Sequence, residues 1–174
     1  MNFLQQFFGH FTTITRHKLK VTCLCFKMGL YKQGLLHDLS KYSWIEFRCG
    51  VQYYQGNRSP IDAEKEDIGY SMGWLHHKGR NPHHWEYWID RTWGKIVFIE
   101  MPKKYIKESV CDRIAACQTY QGKNYTNSSA YDYFMQGSDR ILMNPVSAQL
   151  LENYLKLVKD KGLEEAFRLI KLDK

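Results

Sequence analysis

The stretch TITRHKLKVTCLCFKMG, residues 13–29, sets how the rest of the chain is read. Ile14, His17, Val21, Leu24, Cys25 and Met28 recur at steps of three and four, the spacing of one helix face. Gly29 is placed to end that helix. His17 therefore points inward, among apolar residues.

The same period runs outward through most of the sequence. A short helix is predicted over Leu30–Leu39. Ser43-Trp-Ile-Glu46 has the spacing of a capping box and starts another, to about Gln55. QGNRSP, residues 55–60, is a turn-rich link. Ser59 caps and Pro60 opens a helix to Lys78, which Gly79 ends. Asn81 caps a helix from Pro82 that carries Trp85 and Trp88. Lys95–Glu100 is the one strand-like stretch. Pro102 opens a long helix to about Gln121, and Asn124–Tyr133 is tyrosine-rich and polar. Asn144-Pro145 starts a helix to about Lys161, and Gly162 separates it from a last helix over Leu163–Leu172. The reading is an all-α helical bundle with a C-terminal helical pair, one domain over residues 1–174.

Composition excludes several classes. With 44% apolar, 15% aromatic and 25% charged residues, the chain is not disordered, collagen-like or a simple coiled coil. No apolar run approaches the roughly 18 residues of a membrane span. The N-terminus, MNFLQQFFGHF, does not read as a secretory signal. Lys and Arg number 25 against 18 Asp and Glu, a balance of +7 that suits an anionic partner. Its densest groups, Lys103/Lys104/Lys107 and Lys156/Lys159/Lys161, fall on helix faces. Five cysteines without a CxxC argue against a zinc ribbon or a disulfide framework. They read as reduced thiols of a cytoplasmic protein.

Six of the seven histidines fall in three places: His17, His37, and the pairs His76-His77 and His83-His84. His10 reads as a surface residue. Burying so many imidazoles without partners costs about 1–3 kcal/mol for each unsatisfied group. A metal ion satisfies the ring nitrogens and accounts for the clustering. His37-Asp38 offers nitrogen and carboxylate oxygen side by side, a set that suits Mn, Fe, Co, Ni or Zn. Asp112 lies in VCDRIAA, on an otherwise buried helix, where a carboxylate needs a cation.

The order His17 … His37-Asp38 … Asp112 resembles the HD superfamily of metal-dependent phosphohydrolases, over roughly residues 10–122. GLLHDLSKYSWIEF, WLHHKGRNPHHWEYW and VCDRIAACQTYQGK are similar to segments of an uncharacterised family of bacterial and phage HD-like proteins. The resemblance implies a divalent ion held by His17, His37, Asp38 and Asp112, with Asp38 also catalytic. Members with two ions insert further histidines in the interval that the two pairs occupy here. Helical phase favours His76, four after Met72, and His84, four before Trp88, as ligands of a second ion. His77 and His83 are then left to bind substrate phosphate. One ion per chain stays open as the alternative.

Lys41, three residues after the pair, is placed as the catalytic lysine beside the phosphate, and Arg80 as a bidentate anion clamp. Glu46, Glu66 and Asp67 are carboxylates that can support the site, with nothing to single one out. WEYW, residues 85–88, reads as core or as a pocket wall that stacks a base. The implied function is hydrolysis of a nucleotide or similar phosphate ester. A di-iron oxygenase of HD fold and a non-catalytic, metal-containing nucleotide-binding protein are the alternatives. Nucleic acid is a less favoured partner, and no membrane association is expected.

Overall fold

The computed structural model describes residues 1–173. Asn2 opens α1 (Phe3–Lys27) with a full capping box: its side chain accepts from the Gln5 amide, and Gln5 answers on the Asn2 amide. Gly29, at φ +77°, turns the chain out of that helix. Ten α-helices, three short 3₁₀ turns and a single two-stranded hairpin make up the regular structure of the described residues, an all-α bundle.

The apolar face of α1 packs on α6 (Lys103–Tyr120). α6 is buried almost all round, from Ile106 to Ala115, as a central helix must be. α9 (Pro145–Lys161) and α10 (Leu163–Leu172) form the expected C-terminal pair, and α9 packs on α6 and on α7 (Ser129–Gln136). Val21, Val110, Ile114, Leu151, Leu155 and Ile170 lie at the centre of this core.

Several elements depart from the sequence reading. The helix expected over Leu30–Leu39 stops at Leu36, as α2 (Tyr31–Leu36). His37 is extended, Asp38 is left-handed at φ +52°, and a 3₁₀ turn follows over Leu39–Tyr42. Aspartate tolerates that conformation better than most residues. The Ser43 capping box does not form: Ser43 caps α3 (Trp44–Gln52) through its backbone carbonyl alone. The single helix expected over Pro60–Lys78 is two, α4 (Pro60–Ile68) and α5 (Met72–Lys78), because Gly69 turns left-handed at φ +82°. Ser71 caps the second by accepting from the Trp74 amide.

Asn81-Pro82 starts no α-helix; a 3₁₀ turn covers Trp85–Trp88. Lys95–Phe98 (β2) is a strand, paired antiparallel with an unforeseen partner, Ile89–Thr92 (β1). Trp93 and Gly94 at its tip both take positive φ, as a two-residue hairpin turn requires. The polar stretch after Gln121 contains the first residues of α7, with a single turn, α8 (Asp139–Leu142), beyond it. The Lys103/Lys104/Lys107 group is not one open face, since Lys107 is buried with its ammonium on the Asp173 carbonyl. No helix of the described residues is long and apolar enough to cross a membrane.

Candidate metal centre

Four elements bring the site together. α1 delivers His17 from its buried face. α6 delivers Glu108 and Asp112, four residues apart and so on one side of the helix. The end of α5 and the turn after it deliver His77, His83 and His84. The break after α2 delivers His37 and Asp38. A continuous helix would point adjacent side chains about 100° apart. The extended and left-handed pair instead turns both into one buried spot, with His37 2% and Asp38 1% exposed.

Asp38 is the centre of the arrangement. Its Oδ2 lies 3.3 Å from His37 Nε2 and 3.9 Å from His17 Nε2. Its Oδ1 lies 3.3 Å from His77 Nε2 and 3.5 Å from His83 Nε2. Asp112 Oδ1 is 2.9 Å from His17 Nε2 and 3.4 Å from His37 Nε2. His77 Nε2 and His84 Nε2 are 2.9 Å apart. Two four-residue sets follow, His17/His37/Asp38/Asp112 and Asp38/His77/His83/His84, each with its ligand atoms within 4.8 Å of one another. Asp38 belongs to both.

Two further carboxylates aim the rings. Glu108 Oε1 accepts from His37 Nδ1 at 2.9 Å and lies 3.3 Å from His83 Nδ1. Glu46 Oε2 accepts from His77 Nδ1 at 2.8 Å, and its Oε1 from His76 Nδ1 at 2.6 Å. With Nδ1 held by a carboxylate, His37 and His77 each turn Nε2 toward Asp38 at 3.3 Å.

The donor set fits divalent cations. His37 Nε2, His83 Nε2 and Asp38 Oδ1 are buried without a hydrogen-bond partner. Glu46, Glu108, Asp38 and Asp112 set four carboxylates against the ammonium of Lys41, and Asp38, Asp112 and Glu108 raise the His37 imidazole well above its ordinary value despite burial. Carboxylates so crowded are balanced by protons on the imidazoles or by a cation, and the groups present could hold one. Burial alone would raise the Asp38 carboxyl, but His37, Lys41 and His77 hold it well below the usual range. Burial acts the same way on Asp112, and His17 and His37 overcome it. Burial and the neighbouring His83 and His77 push the His84 imidazole down, toward the neutral form that binds metal. Lys41 Nζ stands 2.6 Å from Asp38 Oδ2, and Asp38 and Asp112 raise its ammonium despite burial.

A cavity of about 510 Å³ opens on the cluster. His17, His84, Asp112 and Lys41 line it on the cluster side, Trp74 and Trp85 add aromatic surface, and Arg58, Lys65 and Arg113 share it with Asp62, Glu86 and Asp139, Arg113 being paired with Asp139 at 2.6 Å. Trp74 stands edge-on to the His84 ring at 4.7 Å.

Of the residues expected at the site, His17, His37, Asp38, Asp112, His84 and Lys41 converge. His76 is replaced by His77 in the second set: the His76 ring is spent on Glu46 and joins neither set. His77 and His83 face Asp38 rather than a substrate pocket. Arg80 is exposed, donates to the His76 carbonyl and does not line the cavity. Glu66 pairs with Arg58 and Asp67 accepts from Tyr53, both outside the cluster. Trp85 lines the cavity, whereas Trp88 packs toward the core with its indole on the Pro82 carbonyl. His10 is buried, against the rings of Phe47 and Tyr54, not on the surface. Glu108 was missed, although its step of four from Asp112 was there to be read. Arg58, Arg113 and Trp74 carried no local signal.

A family model, described as a family of unknown function (DUF5662), matches residues 6–157, and the chain belongs to that family. No curated protein and no solved structure matches it.

Proposed function

We propose that this member of the DUF5662 family is a metal-dependent phosphohydrolase that acts on a small phosphate ester of the nucleotide class. One observation carries the reading. A single buried carboxylate, Asp38, stands between two sets of aimed imidazoles while a lysine beside it faces an open cavity. The resemblance to the HD superfamily points the same way.

His17, His37, Asp38 and Asp112 would hold one divalent ion, and Asp38, His77, His83 and His84 a second. Such ions supply Lewis acidity toward a phosphoryl oxygen and lower the pKa of a bound water to about 7. The protein's own part is orientation and charge. Glu108 and Glu46 orient the rings. Lys41 offers its ammonium on the cluster side of the cavity to an oxygen on which negative charge grows. Loss of one such donor typically lowers turnover by about 10²–10³-fold. In place of Arg80, Arg113 and Arg58 line the cavity and would exchange their partners Asp139 and Glu66 for the anionic substrate. Trp74 and Trp85 give the cavity aromatic surface for the remainder of it.

The test is a phosphate-release screen over nucleoside mono-, di- and triphosphates and cyclic dinucleotides, with Mn, Co, Ni, Fe and Zn each supplied. The expected result is release with at least one pair, strongly reduced in Lys41→Ala at unchanged metal content. Silence across the grid from metal-loaded protein would overturn the reading. Iron absorption with dioxygen consumption would then favour the oxygenase, and tight nucleotide binding alone the non-catalytic protein.

A further inference from the structure

We propose that the outer face of α1 is the interface of a symmetric dimer of this chain. The inference is independent of the chemistry at the metal centre.

α1 is amphipathic on two sides. His10, Ile14, His17, Val21 and Leu24 fill the inner one. On the other, Leu4, Phe8, Phe11, Leu19 and Phe26 follow one another at helical steps, within about 80° of arc at 100° per residue. Thr15 and Thr22 fill the gaps in this stripe. Leu4 to Phe26 spans roughly 33 Å along the axis. Two rings widen it: Tyr42 stacks edge-on to Phe11 at 6.1 Å, and Tyr31 to Phe26 at 5.2 Å. All seven are 37–62% exposed. At roughly 200 Å² for each large side chain they leave on the order of 700 Å² of apolar surface open. The largest apolar patch on a typical monomer is about 300–600 Å². A standard interface buries about 800 Å² on each partner. Leu35, Leu36 and Leu39, between the two tyrosines in sequence, are also 48–59% exposed.

Charge selects the occupant. Residues 1–15 contain no Asp, Glu, Lys or Arg, in a chain of net charge +7. A helix that lies on a lipid surface carries Lys and Arg along its polar face and beside its apolar one. α1 carries four Lys and Arg residues and no acidic one, but Lys18, at the edge of the stripe, is turned inward on the carbonyls of Leu35 and His37, Lys20 donates to Thr119, and Lys27 pairs with Glu164. An uncharged, elongated stripe of aromatic and leucine side chains matches a second copy of itself, laid across it about a two-fold axis. That packing would also cover the segment from α2 to Tyr42, which carries His37, Asp38 and Lys41.

The test is the solution mass of the metal-loaded full chain, by light scattering and sedimentation at micromolar concentration. Wild type should run at twice the 20.7 kDa of one chain. Phe8→Glu/Leu19→Glu replaces two side chains that are each 60% exposed, so the fold should survive. This variant should run as a monomer, its dimer affinity at least tenfold weaker, with unchanged helicity and metal content. Phe8→Leu/Leu19→Met should restore the dimer. A monomeric wild type, or an undiminished dimer in the charged variant, would overturn the proposal. So would flotation of monomeric wild type with zwitterionic or anionic vesicles, which would assign the face to lipid.

Discussion

Asp38 owes its role to its backbone. At φ +52° it is one of two non-glycine residues with positive φ among the described residues, and that turn lets it join its neighbour His37 in one candidate ligand set. Asp38→Ala removes a group common to both sets and should strip the ions while leaving the helical circular dichroism in place. Glu108 acts through the rings that it aims. Glu108→Gln should weaken ion binding by about 10–100-fold, read in a metal titration, with helicity unchanged. His10 gives a prediction at a distance from the cluster. Burial, with Lys41 nearby, lowers its imidazole from 6.5 to about 4. The unfolded chain therefore takes up a proton near pH 6.5 that the folded chain refuses until about pH 4. Stability is full above the upper value and is lost as pH falls between the two. From pH 7 to pH 5 this loss is about 2 kcal/mol. Urea unfolding should show it in wild type, and His10→Asn should flatten that part of the slope. At this scale the sequence was legible where order sufficed, for His17, His37-Asp38 and Asp112. It was not legible where a long-range partner decides. Helical phase favoured His76, but Glu46, from another helix, bonds to both histidines, and only the His77 ring also reaches Asp38.

At the scale of elements, the site depends on α1 and α3 standing very close. A Cβ on Gly50 would fall 2.1 Å from His10 Nε2, and one on Gly9 would fall 2.3 Å from the Tyr54 ring. Gly50→Ala should destabilise the protein by about 1–3 kcal/mol, because the buried ring has nowhere to move. A thermal melt reads this directly, and an unchanged midpoint would mean that the helices separate freely. The long helices were plain from periodicity and their cap signals, as α6, α9 and α10 show. What the pattern hid were interruptions. Gly69 and Asp38 each break a stretch whose apolar spacing runs on, because a left-handed residue changes direction without changing composition. α7 was missed for the converse reason: its polar, tyrosine-rich residues bury only Ala130 and Phe134.

The whole molecule places an acidic, histidine-lined cluster inside a basic chain. Under the proposed function its four carboxylates would draw cations in, and the surplus of lysine and arginine outside would suit an anionic substrate. Ion binding to the folded state alone would also couple to stability, since the candidate ligands come from four separate elements. Chelation should therefore lower the melting temperature of wild type but leave that of Asp38→Ala unmoved. The most direct measurement of the central claim is elemental analysis of wild-type protein purified without chelator. About two divalent transition-metal ions per chain are expected. Protein that is folded and holds no such ion, even after dialysis against Mn, Fe, Co, Ni or Zn, would contradict that claim.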